Sequence, residues 1–201
     1  YFGVSLSEAD REKALSQMNS LLDTFIDAKE YGSILTVEEY DFELLERFVS
    51  DSEPTGQISL ETVGIEDTRE VLLQMIAQGK VLGQKYWVAV TNPPYMGSSG
   101  MSSRLIQYLA ELYPCSKTDL YSAFIERSAY FVKKNAYRSM ITQHGWMFLS
   151  SFEKLRDNVE ESDIVCMAHL GARAFDEISG EIVQTTAFIT RNSIFNDYIG
   201  V

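Results

Sequence analysis

The fold of this chain is decided by residues 86–95, which read Tyr-Trp-Val-Ala-Val-Thr-Asn-Pro-Pro-Tyr. Tyr86 to Val90 is a short apolar run of residues that favour β-structure, and the two prolines stop it. We therefore predict a buried strand that ends just before Asn92. In open α/β sheets, ligands bind at the carboxyl ends of the strands, which is where residues 92–95 fall.

Strands and helices alternate in the sequence after this stretch. The residue patterns predict helices at about 103–112, 119–134 and 150–159, and strands at 138–143, 163–168 and 182–190. This alternation predicts an α/β fold with parallel strands. The connection before the last strand shows no obvious helix, and we therefore expect that strand to be antiparallel.

The first 80 residues are acidic and mainly helical. Helices are predicted at 7–31, 37–49 and 65–78, and a polar loop at 51–56 follows the second of them. Ser7 is the expected N-cap of the first helix, and Gly32 and Gly79 are expected to stop the first and the third. The first helix carries an apolar stripe made of Leu15, Met18, Leu21, Leu22, Phe25 and Ile26.

Composition and charge limit the class of protein. The chain has 45% hydrophobic and 23% charged residues, as globular proteins do, and no apolar run approaches the roughly 20 residues that span a bilayer. Two isolated cysteines, Cys115 and Cys166, suit a reducing compartment, and we expect a cytoplasmic protein. Residues 1–80 carry a net charge of −11 and residues 85–156 a net charge of +5, so a polyanion should contact the chain after residue 85.

Asn92-Pro-Pro-Tyr95 suits chemistry on a planar amine. The exocyclic amine of adenine is a poor nucleophile because its lone pair is delocalised into the ring. Acceptors around its two N–H groups, here the Asn92 side-chain carbonyl and the Pro93 backbone carbonyl, would favour a tetrahedral nitrogen. Prolines 93 and 94 fix the backbone, and Tyr95 offers a plane on which a base can stack. The alternative is a simple strand-ending turn in which Asn92 satisfies backbone groups.

The tetrapeptide resembles motif IV of the amino-group DNA methyltransferases, whose Asn-Pro-Pro-Tyr form is typical of enzymes that act on adenine N6. Residues 117–127 are similar to the helix after motif IV in large adenine methyltransferases of phage-defence systems, both restriction–methylase fusions and the BREX type. Residues 143–156 are similar to the next strand and helix, and residues 170–175 resemble motif VIII. The resemblance covers about residues 80–192.

The resemblance implies a partial Rossmann-like sheet and a DNA adenine methyltransferase that uses S-adenosylmethionine. Residues 81–201 would be its catalytic, base-binding half, and DNA its partner. Asn92, Pro93, Pro94 and Tyr95 would form the catalytic site; Tyr95, Phe175 and Lys117 would bind the substrate. We also expect residues 96–118 to be mobile without DNA, because a loop must close over an extruded nucleotide.

The sequence departs from the family in its cofactor motif. None of the 12 glycines lies in a Gly-x-Gly pair, and no cofactor-binding residue can be assigned. We therefore expect the cofactor-binding half upstream, outside this chain, and an inactive isolated chain. Such a chain would expose a sheet edge, which makes self-association plausible.

Two other functions remain open. The same tetrapeptide can hold a glutamine side chain, as in a protein-glutamine methyltransferase, and the acidic helices would suit a non-catalytic interaction module. His144 and His169 lack acidic or cysteine partners at ligand spacing. We interpret both as structural and predict no metal site.

Overall fold

The structure, a computed structural model, describes residues 2–51, 60–171 and 184–193. The chain divides into two compact units, residues 1–84 and residues 85–201. Phe175 lies outside the described residues.

The described part of the first unit is helical. Helix α1 spans Glu8–Phe25, α2 Ala28–Tyr31, α3 Phe42–Ser50 and α4 Leu60–Gly83. The side chain of Ser7 accepts a hydrogen bond from the Asp10 backbone N–H at 3.2 Å, which confirms it as the N-cap of α1. Asp41 caps α3 in the same way.

One prediction for these helices is wrong in part and another is wrong. Of the predicted α1 stripe, Met18 and Leu21 are buried as expected, together with Ala14, but Leu15, Leu22 and Ile26 are exposed. Helix α4 does not end at Gly79. A Cβ atom there would lie 3.1 Å from Leu21 and 3.2 Å from Phe42, so this glycine serves close packing within the helix rather than termination.

The second unit contains a four-stranded mixed sheet. Strand β1 spans Tyr86–Thr91, β2 Val132–Gln143, β3 Asp163–Gly171 and β4 Thr185–Arg191, in the spatial order β1-β2-β4-β3. β1 and β2 are parallel, and β4 is antiparallel to both β2 and β3. The predicted α/β fold with an antiparallel last strand is confirmed, and β4 lies between two strands that precede it in the chain.

Helices pack on this sheet and complete its core. Helix α5 spans Ser103–Leu112, α6 Leu120–Phe131 and α7 Glu153–Glu160, and α6 contacts β1, β2 and α7. No helix in the described ranges is long and apolar enough to cross a membrane. One buried hydrophobic cluster of this unit consists of Tyr121, Ile125, Met140, Trp146, Phe152, Leu155, Val159 and Phe188.

Helix α6 ends at Phe131, and Lys133 and Lys134, which we placed at the end of that helix, lie in β2. The backbone is already extended at Val132 (φ −110°, ψ 148°), and the buried Val132 and Ala136 hold the start of the strand against the core.

β1 is an edge strand of the described sheet. Contrary to the prediction of a buried strand, its side chains are largely exposed. Trp87 is 64% exposed, Val88 57% and Val90 73%. β1 pairs with β2 along one side, and the described residues leave these side chains largely uncovered. Cys166, on the outer strand β3, is also exposed.

Residues 96–118 form a packed segment, which counts against the predicted mobile connection. Helix α5 buries Leu105 and Leu109. The two ends of the segment are joined by a hydrogen bond of 3.1 Å from the Ser98 N–H to the Thr118 carbonyl. An amphipathic helix with a pinned base cannot open as a free loop without losing this burial.

Candidate active site

The site lies at the carboxyl edge of the sheet. β1 and β2 are parallel, and because β4 is antiparallel to β2 and β3, β3 runs in the same direction as β1 and β2. The carboxyl ends of these three strands therefore lie at one edge, and residues 92–95 leave the sheet there. Thr91 is paired with Met140 of β2, so the register of the last strand residue before the motif is fixed.

The motif itself alternates between exposed and buried residues. Asn92 and Pro94 are exposed, whereas Pro93 is buried and Tyr95 is half-buried. The buried Pro93 and the paired Thr91 hold the backbone on both sides of Asn92. The Asn92 amide is thus carried on a fixed backbone and is accessible to a planar group that approaches the edge of the sheet.

Tyr95 is held by both its hydroxyl and its ring. The hydroxyl donates a hydrogen bond to the Ile141 carbonyl of β2 at 3.3 Å. The ring meets Tyr121 edge-on, with the centroids 6.1 Å apart and an interplanar angle of 80°. Burial raises the pKa of Tyr95, so the phenol stays protonated and remains a donor at neutral pH.

The partner of Tyr95, Tyr121, is anchored in the core. It is 2% exposed, and its ring lies 6.1 Å from that of Phe152. Its oxygen accepts a hydrogen bond from the Trp146 backbone N–H, and burial raises its pKa well above the usual range. Tyr95 therefore rests on a rigid part of the molecule.

Asp119 joins the N-terminus of α6 to the end of the motif. Its carboxylate accepts from the Tyr121 N–H at 3.3 Å and also from the N–H groups of Met96 and Leu120. The Leu120 N–H in turn donates to the Met96 carbonyl at 2.9 Å. Burial raises the pKa of Asp119, although the three N–H groups oppose that change by stabilising the carboxylate.

Lys117, the other predicted substrate-binding residue within the described ranges, lies close to the motif along the backbone. Lys117 lies on an exposed turn two residues before Asp119. Because Thr118 and Asp119 pair with Ser98 and Gly97, the backbone around Lys117 adjoins the end of the motif.

The strand ends at this edge do not fit S-adenosylmethionine. Its ribose hydroxyls call for an acidic residue at a strand end, and its charged groups for a glycine-rich turn between strand and helix. The three strands that end at this edge finish at Thr91, Gln143 and Gly171, none of which is acidic. What the edge offers is an amide, backbone and an aromatic ring, which suit a target amine rather than the cofactor.

Two histidines meet at the same edge. His144 follows β2 and His169 lies near the end of β3; their Nδ1 and Nε2 atoms are 2.9 Å apart. The ring of His144 also contacts Phe148 edge-on. Within the described part of the chain, no group of three or more His, Cys, Asp or Glu side chains is placed to hold a metal ion.

The contacts that bring Asp119, Tyr121 and the two histidines to this edge were not evident from the sequence. The signal for Asp119 is an acidic residue directly before a helix, which predicts an N-cap but not its contact with Met96. For the histidines, the signal would have been that His144 directly follows β2 and His169 lies near the end of β3, and that both strands end at one edge. Using it requires knowing that β4 lies between those strands.

Comparison with known proteins places the chain among methylases. The family model described as Eco57I restriction-modification methylase matches residues 8–175. The match begins in the acidic helical segment, well before residues 80–192, which are the part of the chain that the resemblance of the motifs covers. Both units therefore contribute to the matched region.

The chain is similar to two curated proteins and, more distantly, to a solved structure. The chain is 43% identical over 185 residues to the adenine-specific methyltransferase PglX of Lacticaseibacillus casei (strain Zhang), covering 91% of this chain and 15% of that protein. It is 35% identical over 193 residues to the adenine-specific methyltransferase BrxX of Escherichia coli O9:H4 (strain HS), covering 95% and 16%. The type IIL restriction-modification enzyme MmeI, solved in complex with DNA, is 13% identical with a TM-score of 0.45, covering 94% of this chain and 37% of that one. The chain thus spans about one sixth of the length of the curated relatives.

Proposed function

The chain belongs to the Eco57I restriction-modification methylase family, and from that premise we propose that it is the target-base-binding part of a DNA methyltransferase acting on adenine N6. The observation that carries the proposal is the Asn-Pro-Pro-Tyr sequence at the carboxyl end of β1, with Tyr95 fixed on Ile141 and Tyr121. Similarity to two adenine-specific methyltransferases supports it. We place the full-length protein in phage defence or restriction-modification.

In this mechanism the chain positions and polarises the amine. The Asn92 side-chain carbonyl and the Pro93 backbone carbonyl accept the two N–H groups of an extruded adenine. Those contacts favour a tetrahedral nitrogen, whose lone pair is no longer delocalised into the ring and can act as a nucleophile towards a methyl group. Tyr95 supplies the stacking surface for the base, and Phe175 and Lys117 are proposed as further substrate contacts. S-adenosylmethionine would supply the methyl group, and we propose that the residues that bind it lie upstream in the full-length protein.

The partners follow from charge and exposure. DNA contacts are proposed for the basic stretch 85–156, because the acidic segment 1–80 would repel phosphates. We propose that the cofactor-binding part of the same protein covers the outer edge of β1 and the exposed side chains of Trp87, Val88 and Val90. The isolated chain would then be inactive and prone to self-association through this strand.

The proposal is tested by methylation assays on the full-length protein. With unmethylated genomic DNA and labelled S-adenosylmethionine, we expect N6-methyladenine, identified by mass spectrometry of the digested nucleosides. We expect no product from the 201-residue chain alone. A protein ending in an exposed glutamine serves as the competing substrate. Methylation of that protein but not of DNA would favour the protein-glutamine methyltransferase, and methylation of neither would favour the interaction module.

Tyr95 offers a second prediction. Tyr95→Ala in the full-length protein should lower kcat/KM on DNA by the equivalent of about 1–3 kcal/mol, because the extruded base loses one base–aromatic stack. Tyr95→Phe keeps the ring and loses only the hydrogen bond to the Ile141 carbonyl, which costs about 0.5–1.5 kcal/mol. Steady-state kcat/KM on DNA measures both. Equal losses in the two variants would contradict a stacking role.

A further inference from the structure

We propose that Asp119 is a positioning residue that holds the backbone following Tyr95 in its catalytic conformation. This inference rests on the proposed function, since it concerns the geometry of the same amine site. In this role Asp119 does not touch the base. It acts through Met96, the residue directly after the motif.

Asp119 makes more polar contacts than the capping of α6 requires. An N-cap needs only N–H groups of its own helix, and Asp119 has those of Leu120 and Tyr121. The Met96 N–H, 23 positions earlier in the chain, also stabilises this carboxylate, and Asp119 Oδ2 lies only 3.6 Å from where a Cβ atom on the neighbouring Gly97 would be. This long-range bond serves no purpose in capping α6.

Backbone contacts also join Met96 and Gly97 to the start of α6. The Leu120 N–H donates to the Met96 carbonyl at 2.9 Å, and Gly97 forms an antiparallel bridge with Asp119. Both polar backbone groups of Met96 are therefore bound by the first residues of α6. The chain leaving Tyr95 cannot shift without breaking these bonds or moving the helix.

The same helix end also holds the Tyr95 ring. Tyr121, two residues after Asp119, is buried and meets the Tyr95 ring edge-on. Asp119 is half-buried, where hydrogen bonds to a carboxylate are stronger than at an open surface. One end of α6 thus fixes both the backbone and the ring of the motif.

The test uses three variants of the full-length protein. Asp119→Ser keeps an N-cap, because serine caps helices about as well as aspartate, but its shorter side chain cannot also reach Met96. Asp119→Asn keeps the length and one oxygen acceptor. Asp41→Ser makes the same change at the N-cap of α3, in the first unit, and is the matched control.

We expect kcat on DNA to fall about tenfold or more in Asp119→Ser, the factor given by one hydrogen bond to a charged group. The KM for DNA and the melting temperature should stay near those of the wild type. Asp119→Asn should lie between Asp119→Ser and the wild type, and Asp41→Ser should leave kcat unchanged. Amide hydrogen exchange of a peptide containing Met96 should be faster in Asp119→Ser and unchanged in Asp41→Ser.

A wild-type kcat, or unchanged exchange at Met96, in Asp119→Ser would overturn the inference. A loss of kcat that only follows a lower melting temperature would do the same, because capping alone would explain it. Adenine methylation by the wild type decides the proposed function separately. The exchange measurement needs no activity, so it decides the positioning role even if the substrate is not DNA.

Discussion

Asn92→Ala is expected to lower the methylation rate of the full-length protein by about 10²–10³-fold, or about 2.7–4 kcal/mol. The side-chain carbonyl of Asn92 is one of two acceptors proposed for the amine, and it lies exposed on a backbone fixed by Thr91 and Pro93. Alanine removes that acceptor without altering the backbone. Single-turnover kinetics on DNA, with the enzyme in excess, measure the chemical step directly.

DNA affinity should change little in this variant, because contacts to phosphates dominate binding. The matched control is Asn158→Ala, which removes an exposed asparagine on α7 and should leave the rate unchanged. If Asn92→Ala methylates within a few-fold of the wild type, Asn92 is not an acceptor for the amine. An equal loss of DNA affinity would instead assign it to DNA binding.

Features set by local sequence were predictable. The strand before Asn92 was located to within one residue, because an apolar β-prone run meets two prolines there. The N-cap at Ser7 followed from a serine ahead of an acidic first turn. The antiparallel last strand followed from the absence of a helical pattern before it, since a parallel strand needs a long crossover.

Features set by tertiary contacts were not predictable. The insertion of β4 between β2 and β3 depends on pairing between distant segments, and without it His144 and His169 cannot be seen to meet. The bond from Asp119 to Met96 likewise needs the fold. Gly79 was misread because a glycine that permits close packing looks, in sequence, like one that ends a helix.

The exposure of β1 shows a different limit. An apolar run predicts burial, but burial depends on what lies beside the strand, and β1 has a partner on one side only among the described residues. The chain covers about one sixth of its curated relatives, so most of the full-length protein lies outside it. The apolar character of Trp87, Val88 and Val90 therefore fits our proposal that another part of the same protein covers this strand.

Trp146→Ala is expected to lower the free energy of unfolding of the second unit by about 3–5 kcal/mol, as for other large aromatic residues removed from a core. Trp146 is 3% exposed, its ring centroid lies 5.2 Å from that of Phe188, and its Nε1 donates to Thr142 Oγ1 at 3.1 Å. Alanine would leave a cavity beside the residues that support Tyr121. Urea unfolding followed by far-ultraviolet circular dichroism measures the loss.

The chain's other tryptophan provides the matched control. Trp87 is 64% exposed, and its ring packs on Lys133 with the Lys133 Nζ 4.8 Å from the ring centroid. Trp87→Ala removes the same side chain but little burial, and an exposed cation–π pair is worth only about 0.5–1 kcal/mol. If the two substitutions cost the same, Trp146 is not a core residue of the folded chain. A large loss of unfolding free energy for Trp146→Ala alone would show that the sheet and helices behind the Asn-Pro-Pro-Tyr motif are packed as described. This packing holds Tyr121 in place, and Tyr121 in turn holds Tyr95.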